Sequence, residues 1–271
     1  MTPTESDLFA NSAFDLGSTL HDAFGFAELR AGQREAIEAV LDGRNVLAVM
    51  PTGAGKSLCY QLPAIVRGGL TVVVSPLVAL MRDQVAALRL NGIAAATINS
   101  DLSRDENVRT WYAVRDGAVR LLYMSPERLM TERMLSALSK LDISLFAIDE
   151  AHCISQWGPA FRPEYAMLAD LRERFPGTPV VGLTATADKA TRDDIEDKIF
   201  AGDVVRVVTG FDRPNLSLGV TLKDSWKRQI MDFVDERRGQ PGIIYCLSRR
   251  KTEDVAALLR ENQAPSPFSI E

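Results

Sequence analysis

Residues 45–57 read NVLAVMPTGAGKS, and this stretch decides how the fold begins. Its first six residues are largely apolar, which predicts a short buried strand, and a helical pattern follows over residues 57–66. Between the two, Gly53 and Gly55 allow backbone N–H groups to turn inward, and the start of the helix adds partial positive charge. A strand, a glycine-rich turn and a helix in this order are typical of a phosphate-binding loop. The strict pattern has a glycine where Met50 stands, so this loop is a variant.

The side chains of this loop suit a nucleoside triphosphate, such as ATP, and its metal ion. We expect Lys56 to reach the β and γ phosphates and the Ser57 hydroxyl to ligate Mg²⁺. The alternative, a glycine-rich turn with an incidental lysine, is disfavoured because a predicted strand and helix flank the loop. The predicted nucleotide-binding residues of the loop are Thr52, Gly53, Ala54, Gly55, Lys56 and Ser57.

Six further apolar runs continue the alternation of strands and helices along the chain. Helical spacing of apolar side chains is clear in two stretches between them, residues 77–88 and 167–175. Continuously apolar strands between amphipathic helices predict an α/β fold, with a parallel sheet covered by helices on both faces. The predicted strands are residues 45–50, 70–75, 94–98, 120–124, 143–148, 180–183 and 204–208.

Two adjacent acids follow the predicted strand at 143–148. Asp149 and Glu150 fall at the carboxyl edge of a parallel sheet, where α/β folds bind ligands and where a buried carboxylate is costly unless it binds something. We expect Asp149 to hold the Mg²⁺, directly or through water, and Glu150 to orient and activate the attacking water. An exposed acidic turn is the alternative, and it is weak beside the phosphate loop. For His152, simple packing and a coupling role are equally favoured.

Composition narrows the class of protein. The 271 residues are 46% apolar and 25% charged, which excludes a disordered tail, a coiled coil and a collagen-like fibre. No apolar run has the length of a membrane span, and the polar, acidic start does not resemble a secretory signal. Three scattered cysteines and two histidines argue against a zinc site and favour a reducing cytoplasm. The net charge is −5, and it is concentrated in residues 1–30, so contacts with nucleic acid have to be local.

The pattern predicts an unequal division of the chain. Residues 1–20 form an acidic leader, residues 21–208 a complete lobe, and residues 209–215 (TGFDRPN) a linker. The remaining stretch, 216–271, offers too few elements to bury its own apolar faces, so we expect the incomplete start of a second lobe. Its predicted strands are 216–221 and 242–246, and its predicted helices lie around 226–234 and 255–259.

Read in order, the motifs resemble those of the RecQ family of DNA helicases in superfamily 2. The most specific are DEAHCISQWG at 149–158 and FRPEY at 161–165. The resemblance spans about residues 20–260 and implies two RecA-like lobes. It also implies ATP-driven 3′–5′ translocation on single-stranded DNA and unwinding of forked duplexes in recombination and repair. The other matching motifs are FGFAELRAGQ (24–33), MPTGAGKSLCYQLPA (50–64), SPLVALMRDQV (75–85), YMSPERL (123–129), GLTATAD (182–188), FDRPNL (211–216) and GIIYCLSRRKTEDVA (242–256).

The resemblance assigns further residues to the nucleotide. Gln33 matches the glutamine that reads the adenine edge, and an amide can both donate to and accept from adenine. Phe26 and Arg30 match residues that stack on the base, although core packing is the alternative for Phe26. Thr184 and Thr186 match the motif that couples hydrolysis to movement along the strand.

The resemblance also assigns residues to DNA. Ser75, Pro76 and Ser125 fall in motifs that follow the DNA backbone, where hydroxyl and N–H groups bind phosphates without reading sequence. Residues 153–165 resemble an aromatic-rich loop, whose rings stack on unpaired bases and whose arginine adds a cation. A core-capping role is the alternative for its tryptophan. The predicted residues of this loop are Gln156, Trp157, Phe161 and Arg162.

Two departures from the family pattern matter. The aromatic-rich loop has Pro159 and Ala160 where the family has histidine and aspartate, so we expect weaker coupling of DNA binding to ATP turnover. No second-lobe arginine finger can be assigned, and such a finger raises turnover by about 10³-fold or more. The alternative function is therefore an ATP- and DNA-binding fragment without unwinding activity. A small-molecule kinase is disfavoured because no acceptor site is apparent. The sequence predicts no oligomeric state.

Overall fold

A computed structural model describes residues 16–155, 162–210 and 217–261 of the chain. The chain divides into two compact units, Met1–Asp212 and Arg213–Glu271. Every candidate site residue that the structure describes lies in the first unit.

The first unit is built on seven parallel strands. The predicted α/β class is confirmed, and each predicted strand of this unit is present with its ends within one residue of the expected positions. The strands are β1 (Val46–Val49), β2 (Leu70–Val74), β3 (Ala95–Ile98), β4 (Leu121–Met124), β5 (Ile143–Ile148), β6 (Val180–Thr184) and β7 (Val205–Val208). Across the sheet they follow the order β3-β4-β2-β5-β6-β1-β7.

Helices of very different length connect these strands. None of the described helices is long and apolar enough to cross a membrane. In the first unit they are α1 (Leu16–Phe24), α2 (Gln33–Leu41), α3 (Leu58–Arg67), α4 (Val78–Leu90), α5 (Arg104–Arg115), α6 (Pro126–Leu129), α7 (Glu132–Leu138), α8 (Pro163–Ala166), α9 (Leu171–Arg174) and α10 (Lys189–Ile195). In the second unit they are α11 (Trp226–Asp235) and α12 (Arg249–Glu261).

Both faces of the sheet are buried, because alternate residues of each strand enter different cores. In β1, Leu47 and Val49 belong to the core shared with α5, α7 and α10, whereas Val46 and Ala48 belong to the core shared with α2, α3 and α4. This two-sided burial explains why the central strands read as continuous apolar runs.

The strand order decides which loops meet at the carboxyl edge of the sheet. Strand β6 lies between β5 and β1, and its last residue, Thr184, pairs with Val49. The carbonyl oxygen of Thr184 accepts a hydrogen bond from the Met50 N–H at 3.0 Å. The end of β6 therefore separates the acidic pair that follows β5 from the glycine-rich loop that follows β1.

Two helical stretches differ in detail from their predicted form. The spacing predicts Leu77 on the apolar face of the helix over 77–88, but it lies before the first residue of α4 with extended backbone and is 52% exposed. The stretch 167–175 is helical, but a 3₁₀ turn over Met167–Asp170 joins α8 to α9, so its apolar residues do not share one regular helix.

The two predicted strands of the second unit are wrong. The described residues 217–221 and 242–246 form no strand, and their side chains are largely exposed, with Val220 at 99%. A strand needs a neighbour to take up its N–H and C=O groups, and the described part of this unit provides none. The two predicted helices are present as α11 and α12, and they bury only Val255 and Leu259.

Candidate functional site

The glycine-rich loop has the backbone that its sequence predicts. Gly53 and Gly55 have φ values of 84° and 78°, in the left-handed region that glycine tolerates best. A Cβ atom on Gly55 would also lie 2.6 Å from Gln33 Nε2, so a side chain there would displace the Gln33 amide. Met50, which replaces the glycine of the strict pattern, is fully buried in the sheet core. Met50 therefore packs in the core, and the turn that follows it keeps Gly53 and Gly55.

Lys56 and Ser57 are held by the structure around them. The Lys56 Nζ donates to the Met50 carbonyl oxygen at 3.2 Å, across the mouth of the loop. Ser57 precedes the first residue of α3, and its Oγ accepts from Gln84 Nε2 at 3.1 Å. Both side chains are half-buried, and Thr52 beside them is exposed.

Gln33 ties the start of α2 to the loop. Its Nε2 donates to the carbonyl oxygens of Ala54 (2.9 Å) and Gly55 (3.1 Å), while its Oε1 accepts from the Arg30 N–H (2.8 Å). The Arg30 guanidinium donates to the carbonyl oxygen of Gly53. Arg30 and Gln33 therefore contact the glycine-rich loop, and all three are predicted to bind the nucleotide.

Phe26 is half exposed, at 50%. That exposure argues against the alternative of core packing for this ring. The ring is accessible for stacking, but its role remains a prediction.

The acidic pair lies at the end of β5 in a partly dry environment. Burial, and then the neighbouring Glu150 charge, raise the pKa of Asp149 to about 6. The Glu150 N–H donates to Asp149 Oδ1 at 3.0 Å, and Glu150 itself has φ 51°, a left-handed conformation that is uncommon outside glycine. A carboxyl with an elevated pKa (Asp149) beside a residue with a strained backbone (Glu150) is typical of a functional site.

His152 joins the acidic pair to β6. Its Nδ1 lies 3.2 Å from Glu150 Oε2 and 2.9 Å from Thr184 Oγ1. Contacts with the side chains of Cys153 and Glu150 raise the pKa of His152 to about 9, and the same histidine lowers the pKa of Glu150. At neutral pH the structure favours a charged imidazole beside a carboxylate. These contacts join His152 to both the acidic pair and β6, and a coupling role for it stays a prediction.

Thr184 and Thr186 form one compact turn at the end of β6. Thr184 Oγ1 donates to the Thr186 carbonyl oxygen (3.1 Å) and accepts from the Thr186 N–H (3.2 Å). Thr184 is fully buried, so its only described route to the acidic pair is through His152.

The residues assigned to DNA are placed differently from one another. Ser75 is 2% exposed, and its Oγ has no hydrogen-bond partner among the described residues. The Pro76 carbonyl oxygen accepts from Arg162 Nη1 at 3.4 Å. Ser125 caps α6 by accepting from the Arg128 N–H, which gives it a structural role. Gln156, Trp157 and Phe161 lie outside the described residues, as do Pro159 and Ala160.

The donor set fits a small divalent cation bound together with a nucleotide. No three His, Cys, Asp or Glu side chains cluster anywhere in the described ranges, so protein carboxylates alone do not make a metal site there. Ser57 follows β1 and Asp149 follows β5, so the two side chains offer oxygen ligands from either side of β6. Mg²⁺ typically takes one or two protein oxygens, with phosphate and water oxygens completing the shell.

Sequence reasoning missed one residue beside the loop. Gln84, on α4, contacts Ser57 directly, whereas the sequence places it only within the motif at 75–85 and gives it no role at the loop. The signal was weak, because a single polar residue on an amphipathic helix is common.

Comparison with known proteins agrees with this geometry. The family model for the DEAD/DEAH box helicase matches residues 30–195. The chain is 45% identical over 245 residues to an ATP-dependent DNA helicase RecQ of Haemophilus influenzae, covering 90% of this chain and 39% of that protein. It is 42% identical over 248 residues to the ATP-dependent DNA helicase RecQ of Bacillus subtilis, covering 91% of this chain and 42% of that protein. The chain thus spans about 40% of the length of these relatives.

Solved structures agree on the fold. The DUF1998 helicase MrfA bound to DNA superposes with a TM-score of 0.70 at 19% identity, covering 91% of this chain and 38% of that one. A hypothetical ATP-dependent RNA helicase from Sulfolobus tokodaii gives a TM-score of 0.58 at 22% identity, covering 91% and 71%. At such identities the likeness concerns the fold alone. With the family model matched across the glycine-rich loop, the acidic pair and β6, the chain belongs to the DEAD/DEAH box helicase family, and its relatives at 42–45% identity are RecQ helicases.

Proposed function

We propose that this chain carries the first motor lobe of an ATP-dependent 3′–5′ DNA helicase of RecQ type. In this role it couples ATP hydrolysis to translocation on single-stranded DNA and to unwinding of forked duplexes during recombination and repair. We also propose a cytoplasmic location. The three cysteines form no disulfide, which is compatible with a reducing compartment.

One observation carries the proposal. The hydrogen-bonded series from Glu150 through His152 to Thr184 joins the acidic pair to the end of β6, beside the glycine-rich loop. A hydrolase needs a phosphate-binding loop and an acid pair. A motor also needs a contact that transmits the state of the phosphate site to another element, and this series is a candidate for it.

The nucleotide side follows from the chemistry of these residues. Lys56 would neutralise charge on the β and γ phosphates, and Gln33, Arg30 and Phe26 would hold the adenine. Ser57 and Asp149 would hold Mg²⁺, which, when bound, offsets the negative charge that develops on the phosphates.

Glu150 is the proposed general base. Its pKa is lowered by His152, so it is ionised at neutral pH and ready to accept a proton from the attacking water. His152 holds the carboxylate in place and reports its state to Thr184.

The DNA side rests on backbone contacts and stacking. Pro76 and Arg162 already contact each other at the end of β2, where a sugar-phosphate chain would pass. Ser125 and Thr186 would offer polar groups at nearby loops, whereas the Ser75 hydroxyl is buried. The aromatic-rich loop would stack on unpaired bases. Such contacts are independent of base sequence.

A second candidate function is nucleotide and DNA binding without unwinding. It is favoured by the described part of the second unit, where residues 217–221 and 242–246 form no strand. Fast phosphoryl transfer in related proteins also uses an arginine finger from outside the phosphate loop, and no arginine of this chain is assigned to that role.

One assay tests the proposal and separates the two functions. ATP hydrolysis and unwinding of a forked duplex are measured for the chain with and without single-stranded DNA. Lys56→Ala is the inactive variant, and Lys140→Ala, at an exposed lysine of the same unit, is the matched control. DNA-stimulated hydrolysis with unwinding supports the helicase, and DNA and nucleotide binding without unwinding supports the second candidate. No binding of either ligand contradicts both.

A further inference from the structure

A polar network lies behind the glycine-rich loop, between α3 and α4. At its centre, both the nitrogen and the oxygen of the Gln84 amide form hydrogen bonds. Its Nε2 donates to Ser57 Oγ (3.1 Å), and its Oε1 accepts from Gln61 Nε2 (3.0 Å) and from the Tyr60 hydroxyl (3.4 Å). Because three groups fix this amide, its orientation toward Ser57 is defined by the protein before any ligand binds.

The far end of the network is anchored in the sheet. The hydroxyl groups of Tyr60 and Tyr123 lie 3.1 Å apart, and both rings are buried, at 1% exposure each. Burial raises the pKa of Tyr123 to about 12 and raises that of Tyr60 as well, so both hydroxyls keep their protons at neutral pH. Tyr123 belongs to β4 and precedes Ser125 by two residues. The anchor is therefore rigid, and it lies close to a residue assigned to DNA.

The contact with Gln84 decides what Ser57 can offer a ligand. A serine hydroxyl has one proton and two lone pairs. The amide N–H occupies one lone pair, which leaves the second for a cation and the proton for an acceptor. Without the amide the hydroxyl rotates freely, and a cation must select one of several rotamers.

We propose that Gln84 is a positioning residue that orients the Ser57 hydroxyl for the divalent cation bound with the nucleotide. The inference rests on the function proposed above, because it needs a nucleotide and a cation at this loop. Gln84 contacts neither ligand, and it acts through Ser57.

A purely structural role for Gln84 makes a different prediction. If the amide only fills space between α3 and α4, Gln84→Met keeps the volume and alters thermal stability alone. If it orients Ser57, the same change weakens the contribution of the cation to nucleotide binding and leaves metal-free binding unchanged.

The test measures binding of a fluorescent ADP analogue to the full chain, in Mg²⁺ and in excess EDTA. The ratio of the two dissociation constants reports the contribution of the cation. One hydrogen bond corresponds to about a fivefold change, so Gln84→Met should reduce the ratio by roughly fivefold, with the EDTA value constant. Ala86→Gln, an exposed change on the same helix, should leave the ratio unchanged.

A double-mutant comparison completes the design. In a Ser57→Ala background, adding Gln84→Met should alter the ratio no further, because the hydroxyl that it orients is absent. If Gln84→Met lacks a cooperative melting transition, Gln84→Asn replaces it, since its amide is one methylene too short to keep the 3.1 Å contact. An unchanged ratio in a folded variant overturns the inference alone. A wild-type chain that binds no nucleotide overturns the inference together with the proposed function.

Discussion

Strand β2 and residues 242–246 are both five-residue apolar runs, LTVVV and GIIYC, yet they end in opposite states. Strand β2 is buried along its whole length, with β4 on one side and β5 on the other. In the second run, Ile243 is 78% and Tyr245 89% exposed, and no ladder forms. The difference teaches that β-propensity describes a residue's fit to a half-buried pleated surface, so a strand forms only where neighbours supply that surface.

Amide exchange should show the largest difference between these two regions. Strands β1 and β2 should exchange only on opening of the first unit, so their amides should be protected by about 10⁴-fold or more. Residues 217–221 and 242–246 should exchange near the rate of an unstructured chain. Hydrogen–deuterium exchange with peptide mass spectrometry measures both regions in one sample. Comparable protection in the two regions would show that the second unit finds strand partners of its own.

The same comparison applies to chemistry, because every described candidate catalytic group lies in the first unit. Glu150→Gln should lower ATP turnover by about 10²- to 10⁴-fold, the usual contribution of a general base, while nucleotide affinity changes little. Glu253→Gln is the same chemical change at an exposed position of α12 and should have no effect. Steady-state ATPase assays with titrated ATP separate the two quantities. Equal losses of turnover in both variants would show that Glu150 is not the general base.

The sequence predicted the parts of the first unit better than their arrangement. The strands of that unit, the glycine-rich loop and the acidic pair follow from local patterns, since apolar runs, glycines and adjacent acids are visible within a few residues. Strand order is not local. That β6 lies between β5 and β1, and so brings Thr184 to His152, depends on contacts between residues far apart in the chain.

Side-chain networks were even less predictable. The link from Gln84 to Ser57 requires α4 to lie beside α3 with one amide turned inward, and spacing along one helix does not specify this. The strand predictions at 217–221 and 242–246 fail for the opposite reason: the local apolar pattern is present, but the described residues provide no neighbouring strand.

The ion pair between His152 and Glu150, which follows β5, should make the stability of the first unit depend on pH. The pKa of His152 in the folded chain is about 9, against 6.5 for an unperturbed histidine. Its stabilising contribution is therefore complete below pH 6.5 and is lost as the pH rises through 9. After allowance for solvent screening we expect a loss of about 1–2 kcal/mol between pH 7 and 10.

Urea unfolding followed by the first unit's signal at several pH values measures this loss. His152→Asn should flatten the profile in that window. Asp149 should not contribute to this pH dependence, because its pKa of about 6 leaves it largely ionised between pH 7 and 10. A profile equally steep in the variant would assign the effect to another group.

The smallest expected difference lies at two helix starts with the same residue type. At α5, Ser103 and Glu106 form a reciprocal capping box, in which each side chain accepts from the other residue's N–H. At α11, Ser225 occupies the equivalent position without a side-chain cap. Ser103→Ala should cost about 1 kcal/mol and speed exchange in the first turn of α5 about fivefold, whereas Ser225→Ala should leave α11 unchanged. Because both variants remove one hydroxyl, equal effects would contradict this difference in capping between α5 and α11.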